Sequence, residues 1–145
     1  MSGTLSAGEG LVRTGLDVDA VRRALPRVEP YAVPLRVARP GFRRFWAKGI
    51  AAVAMPWAIY LTEPIFARVE TGAEGGRDGL LIVHELAHID QYVRLGPIRH
   101  VVKYIADYLR GRVRGLSHWE AYRAVSLEVE AREIAATFQT GTGPR

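Results

Sequence analysis

The order of polar and apolar positions divides the chain into a broken first half and a helical second half. From Gly79 to Leu95 apolar residues occupy most of the helical circumference, which predicts a buried helix, with Asp78 placed to cap its start and Gly96 and Pro97 to stop it. A second helix is predicted over Ile98 to Arg110. It sets Val101, Val102, Ile105, Tyr108 and Leu109 on one side and Arg99, Lys103, Asp107 and Arg110 on the other. A third runs from His118 to Phe138, where Ala124, Leu127, Ala131, Ile134 and Phe138 keep the spacing of a core stripe.

Upstream the periodicity is short and interrupted. Asp17 is placed to cap a helix over Val18 to Leu25, ended by Pro26. Pro26, Pro30, Pro34 and Pro40 punctuate a segment that holds one strand around Ala32 to Val37, and Phe42 to Lys48 reads as a turn of helix. Ile50 to Ala54 and Trp57 to Leu61 are β-like runs joined at Met55 and Pro56, which predicts a hairpin or a bent strand pair. The turn residues between Glu63 and Asp78 predict a loop long enough to cover a cleft. Glycine, serine and threonine in residues 1–15 predict a flexible tail, residues 141–145 a second one, and residues 16–140 a single domain. The fold class expected is α+β, a short antiparallel sheet packed on a helical core.

Composition narrows the chemistry. The 145 residues are 48% hydrophobic and 24% charged, ordinary for one globular domain. With no cysteine, thiol catalysis, disulfides and cysteine-held metals are excluded, so a metal must be bound by His, Asp or Glu. The start lacks the features of a secretory signal, and the longest uncharged apolar stretch, Gly49 to Thr62, is too short to span a bilayer and contains Pro56. A cytoplasmic chain without a membrane span is expected. The formal net charge of +5 permits attraction to nucleic acid, anionic lipid or acidic proteins. The basic run Arg94, Arg99, Lys103, Arg110, Arg112 and Arg114 reads as a solvated face in preference to a nucleic-acid site.

Inside the buried helix stands HELAHIDQ, residues 84–91. His84 and His88 fall roughly 40° apart around the helix axis and about 6 Å apart along it, so their imidazoles can converge on one ion. Glu85, about 100° round from His84, flanks that ion without ligating it. Two imidazoles and an adjacent carboxylate are what a zinc hydrolase needs: an anchored cation, and a base to take a proton from water. Burying three such groups among Leu80, Leu81, Ile82, Val83, Leu86, Ala87 and Ile89 would cost several kcal/mol unless a partner satisfied them. A third ligand can come from His100, His118, Glu120, Glu128, Glu130 or Glu133. On a wheel centred on Ala131, Glu128 lies about 60° from the centre of the apolar stripe, Glu130 about 100° and Glu133 about 160°. Glu128 is the nearest of these three to the core face.

His84, Glu85 and His88, followed by Glu128 and Ala131, resemble the H-E-x-x-H … E-x-x-A pattern of the gluzincin metallopeptidases, in particular the very small bacterial minigluzincins. The resemblance covers roughly Ile50 to Ala136. It implies a zincin-like domain, one Zn2+ held by His84, His88 and Glu128, Glu85 as general base, and a peptide or protein substrate. The pattern departs at Arg132, where many gluzincins carry an Asp that orients a zinc-binding His, so the outer support of the ligands must be built differently. Tyr122 and His118 are the candidates to stabilise an oxyanion, with Arg123 and Arg132 behind them. By analogy with zincins, Trp57 to Leu61 is the strand beside which an extended substrate would lie. A rival from another class is a non-catalytic interaction module in which the same three ligands hold zinc for folding.

Overall fold

A computed structural model describes residues 4–44, 46 and 50–139. Their elements are β1 (Leu5–Ser6), α1 (Ala7–Arg13), α2 (Val18–Ala24), β2 (Pro34–Val37), α3 (Pro40–Arg43), β3 (Ala52–Met55), β4 (Ala58–Leu61), α4 (Glu63–Thr71), α5 (Gly76–Leu95), α6 (Pro97–Val113), α7 (His118–Ala124) and α8 (Ser126–Gln139). The fold class is α+β. Helix α5 is the axis of the structure: Ile82, Val83 and Leu86 are fully enclosed, and α1, α4, α6, α8 and β3 all pack on it. No helix among the described residues is long and apolar enough to cross a membrane.

The sheet is mixed, not antiparallel as expected. Its order is β1-β2-β4-β3, with β1/β2 and β3/β4 antiparallel and β2/β4 parallel, Leu35 lying opposite Ile59. The β3–β4 hairpin matches the pattern, but alternation along a strand does not say which neighbour it takes. The chain leaves β2 through α3 and β3 before β4 returns alongside it, and a connection of that length permits parallel pairing. In consequence Trp57 to Leu61 is not an edge beside the helix that carries His84 and His88: β4 is interior to the sheet, and β3 is the edge strand that packs on α5.

Residues 5–13 are not a tail. Ser6 caps α1 in a reciprocal box with Glu9, β1 pairs with β2, and Ala7 and Leu11 are fully buried. Glycine here serves close packing. A Cβ at Gly10 would stand 2.9 Å from the side chains of both Ile82 and Leu35, so α1 can lie against α5 and β2 only without one. Residues 1–3 and 140–145 lie outside the described residues, as do residues 45, 47 and Lys48 of the turn expected over Phe42 to Lys48; the helix described at its start is Pro40–Arg43.

Three further expectations are corrected. The segment Glu63 to Asp78 is not a long loop. Pro64 stands in the first turn of α4, Ile65, Phe66 and Val69 bury one face, and only Gly72 to Gly75 turn before α5 begins. Asp78 does not cap α5. It is buried in the first turn and accepts two hydrogen bonds, at 3.0 and 3.1 Å, from the Arg68 guanidinium, tying α4 to α5. The last helix is two: Val125 is extended and buried, and Asp107 accepts hydrogen bonds from the Ser126 backbone and hydroxyl to start α8. Ala124, assigned to the core stripe, is exposed, whereas Leu127 and Ala131 are buried.

Because Leu11 is enclosed by the core, Leu11→Ala is expected to destabilise the chain by about 2–5 kcal/mol in denaturant unfolding. A change near zero would show that the first residues do not pack on α5.

Candidate metal centre

The one-face spacing of His84 and His88 on α5 and the small residues of α8 explain how three ligands meet. Ala131 and Ala135 are buried where α8 lies along α5, so the helices approach closely and Glu128, on the first turn of α8, is carried to the two imidazoles. His84 Nε2 stands 3.0 Å from Glu128 Oε2, His88 Nε2 3.1 Å from Glu128 Oε1, and the two Nε2 atoms 3.2 Å apart. A tetrahedral metal with bonds of about 2.0–2.1 Å spaces its ligand atoms by roughly 3.3 Å. His84, His88 and Glu128 thus form a group that can hold a metal ion. The donor set also fits, since two imidazoles and one carboxylate leave a further coordination position.

The acid–base state of the metal-free cluster follows from its contacts. Burial alone would raise the Glu128 carboxyl, but hydrogen bonds from His84 and His88 overcome it and hold Glu128 well below the usual carboxylate range. Burial likewise opposes a charge on His88, yet its hydrogen bond to Glu128, with Glu85 nearby, pushes it up to about 9. A proton therefore sits between His88 and Glu128 until a cation displaces it. Glu85 is buried, and that burial raises its carboxyl above the ordinary value despite the nearby imidazoles. The Ala54 backbone N–H on β3 acts in the opposite direction to burial, favouring the charged form.

Gln91 and Tyr104 complete the centre, and neither was singled out from the sequence. Gln91 is fully enclosed. Its amide nitrogen donates to the Leu127 carbonyl at 2.9 Å and to Glu130 Oε1 at 3.2 Å, two groups that can only accept. That fixes its Oε1 toward His88 Nδ1 at 2.9 Å and His100 Nε2 at 3.2 Å, so both ring nitrogens must donate. With its proton held on Nδ1, His88 keeps Nε2 for a metal. Gln91 thus orients the His88 ring, and Arg132 has no part in it. Arg132 instead donates to the Arg123 carbonyl. Tyr104 donates to Glu128 Oε1 at 3.0 Å. The only sequence signal for Gln91 was its place one helical turn beyond His88.

The other candidates separate clearly. His100 is buried behind Gln91 and stacked on Tyr92, burial lowers it to about 4, and it lies outside the ligand cluster. Glu130 pairs with Arg94 at 2.9 Å, Glu120 joins Ser117 in the cap of α7, and Glu133 is exposed. Tyr122 and Glu85 line both of two cavities that flank the centre. The more apolar one, about 470 Å³, also exposes His88 and Glu128, with β3 on one side and Val101, Tyr104, Ile105 and Tyr108 of α6 on the other. His118 stands at its wall, its Nδ1 bonded to the Tyr108 hydroxyl at 2.7 Å. Trp57 and Tyr60, whose indole and hydroxyl bond each other at 3.0 Å, lie away from it in a separate cleft with Arg36 and Arg39.

Comparison with protein-family models, with curated proteins and with solved structures finds no match to this chain.

Because a cation must displace the proton shared by His88 and Glu128, binding of Zn2+ is expected to release a proton below about pH 9. Affinity then falls by about tenfold for each unit of pH below that value and levels off above it. Titration calorimetry in buffers of different ionisation enthalpy reads both. Gln91→Leu is expected to weaken Zn2+ binding by about 10–100-fold while all three ligands remain. Glu128→Ala should abolish stoichiometric binding and Glu130→Ala should not; metal analysis giving the reverse would assign the wrong carboxylate.

Proposed function

We propose that the chain is a zinc-dependent metallopeptidase of gluzincin type, hydrolysing a peptide or amide bond, with Zn2+ held by His84, His88 and Glu128 and with Glu85 as general base. One observation carries the reading: three side chains converge, with neighbouring ligand atoms 3.0–3.2 Å apart, and a buried carboxyl that takes no part in ligation borders the same cavities. A buried Glu beside a metal ligand set has little reason to be there in a site that serves folding alone. It has a clear use as a proton carrier.

When bound, zinc supplies Lewis-acid polarisation of a carbonyl and acidification of water. The chain supplies the rest. Glu85 accepts a proton at its carboxylate and returns it to the leaving amine, and its raised proton affinity suits both steps. Burial raises the Tyr122 phenol, so it stays protonated as a donor at the cavity wall. His118, oriented by Tyr108 through Nδ1, offers Nε2 as a second donor. The apolar walls exclude water and accept an apolar substrate side chain. An extended substrate would lie beside β3, the edge strand next to Glu85.

Glu85→Gln tests the reading. Hydrolysis of fluorogenic peptides should fall by about 10²–10⁴-fold with Zn2+ content and unfolding midpoint retained. Activity that survives this change would overturn the assignment. A zinc-loaded native chain that cleaves none of a broad peptide set, yet unfolds on chelation, would point to the folding role instead. Tyr122→Phe should lower kcat on the order of a hundredfold with zinc still bound.

A further inference from the structure

Helix α6 does not pack through its aliphatic side. The face it turns inward carries His100, Tyr104 and Gly111, which meet Gln91, Glu128 and Ala121. Its aliphatic stripe, Ile98, Val101, Val102, Ile105, Leu109 and Val113, faces outward, and each of these residues is between 46% and 88% exposed. They recur at helical spacing along one side of a helix about 25 Å long. A contiguous stripe of this kind, unlike single exposed apolar residues, marks a surface that something covers.

The charges around the stripe identify what covers it. Asp107 is the helix's only acid, and it turns away from the stripe to start α8 while pairing with Lys103 and Arg110. Arg99 near one end, and Arg112 and Arg114 at the other, are exposed and make no ion pair among the described residues. A second copy of the chain on this stripe would set these cations against their own counterparts. An anionic bilayer satisfies both features, taking the aliphatic side chains into the acyl boundary and the guanidinium groups at the headgroups. We infer that α6 is an interfacial helix that docks this chain on an anionic lipid surface, without crossing it. Val101 and Ile105 belong to the stripe and to the cavity wall alike, so docking sets that side of the cavity at the lipid boundary. The inference does not depend on the peptidase reading.

The absence of cysteine makes the test clean, because one introduced thiol carries one probe. Val102→Cys and, as a control on an exposed position of α8, Glu133→Cys are labelled with a polarity-sensitive fluorophore on the full-length chain. Vesicles of phosphatidylglycerol with phosphatidylcholine are expected to shift the Val102 label to the blue and leave the Glu133 label unchanged, and rising salt should weaken the binding. Val102→Glu with Leu109→Glu, both at exposed positions outside the cavity, should reduce vesicle binding at least tenfold without moving the unfolding midpoint. Arg99→Ser with Arg112→Ser and Arg114→Ser should lose the preference for anionic vesicles by a similar factor. Three outcomes overturn the inference: no shift at Val102 with anionic vesicles, an equal shift with phosphatidylcholine alone, or a concentration-dependent shift without lipid accompanied by a doubled mass in sedimentation, which would assign the stripe to self-association.

Discussion

The close approach of α5 and α8 is the constraint on which the rest depends. Two helices can bring imidazoles and a carboxylate within 3.2 Å only if nothing bulky intervenes, and Ala131 and Ala135 provide that clearance. The approach also buries polar groups, and a buried polar group is tolerated only when it is satisfied. Gln91 does this at the seam: its nitrogen holds the Leu127 carbonyl of α8 while its oxygen holds His88 of α5. One amide thereby ties the helices together and sets the tautomer of His88. Since Leu127 and Glu130 offer acceptors alone, the direction of every hydrogen bond in this chain of contacts follows from them.

His100 illustrates how far that directionality reaches. Gln91 Oε1 takes a hydrogen bond from His100 Nε2, which places the neutral ring's lone pair on Nδ1, and Nδ1 is buried without a partner. An unpaired acceptor costs less than an unpaired donor or a charge in the same place. Burial keeps this imidazole neutral, which removes a positive charge that would otherwise compete with a cation at the neighbouring ligands.

The parts of the site that were legible in the sequence are those that depend on local geometry. A helix places His84 and His88 together whatever surrounds it, and the wheel through Ala131 picked Glu128 over Glu130 and Glu133 because the stripe of α8 faces α5. What was not legible depends on contacts between distant segments. Tyr104 meets Glu128, and Gln91 meets Leu127, across separations that no periodicity records. The same holds for the parallel pairing of β2 with β4. Glycine misled for a different reason. It marks flexible chain and tight packing equally, so Gly10 read as part of a tail although it is the contact that seats α1 on Ile82 and Leu35. Between Glu63 and Asp78, turn-forming residues at the end obscured the buried spacing of Ile65, Phe66 and Val69 at the start.

Helix α6 shows the limit of amphipathicity as a guide to packing. A wheel identifies an aliphatic side and a charged side, and in a small globular domain the aliphatic side is ordinarily the one buried. Here the interior that α6 covers is not aliphatic. It contains Glu128, His88 and Gln91, and a helix packed against them must bring hydrogen-bond donors and rings that tolerate polar neighbours, which His100 and Tyr104 do. The demand of the buried cluster thus decides which side of α6 faces inward, and the aliphatic side is left over. Exposure of that stripe is a cost the fold accepts to satisfy the site, and a covering surface with an apolar interior and negative headgroups offsets that cost while matching the unpaired arginines at its ends.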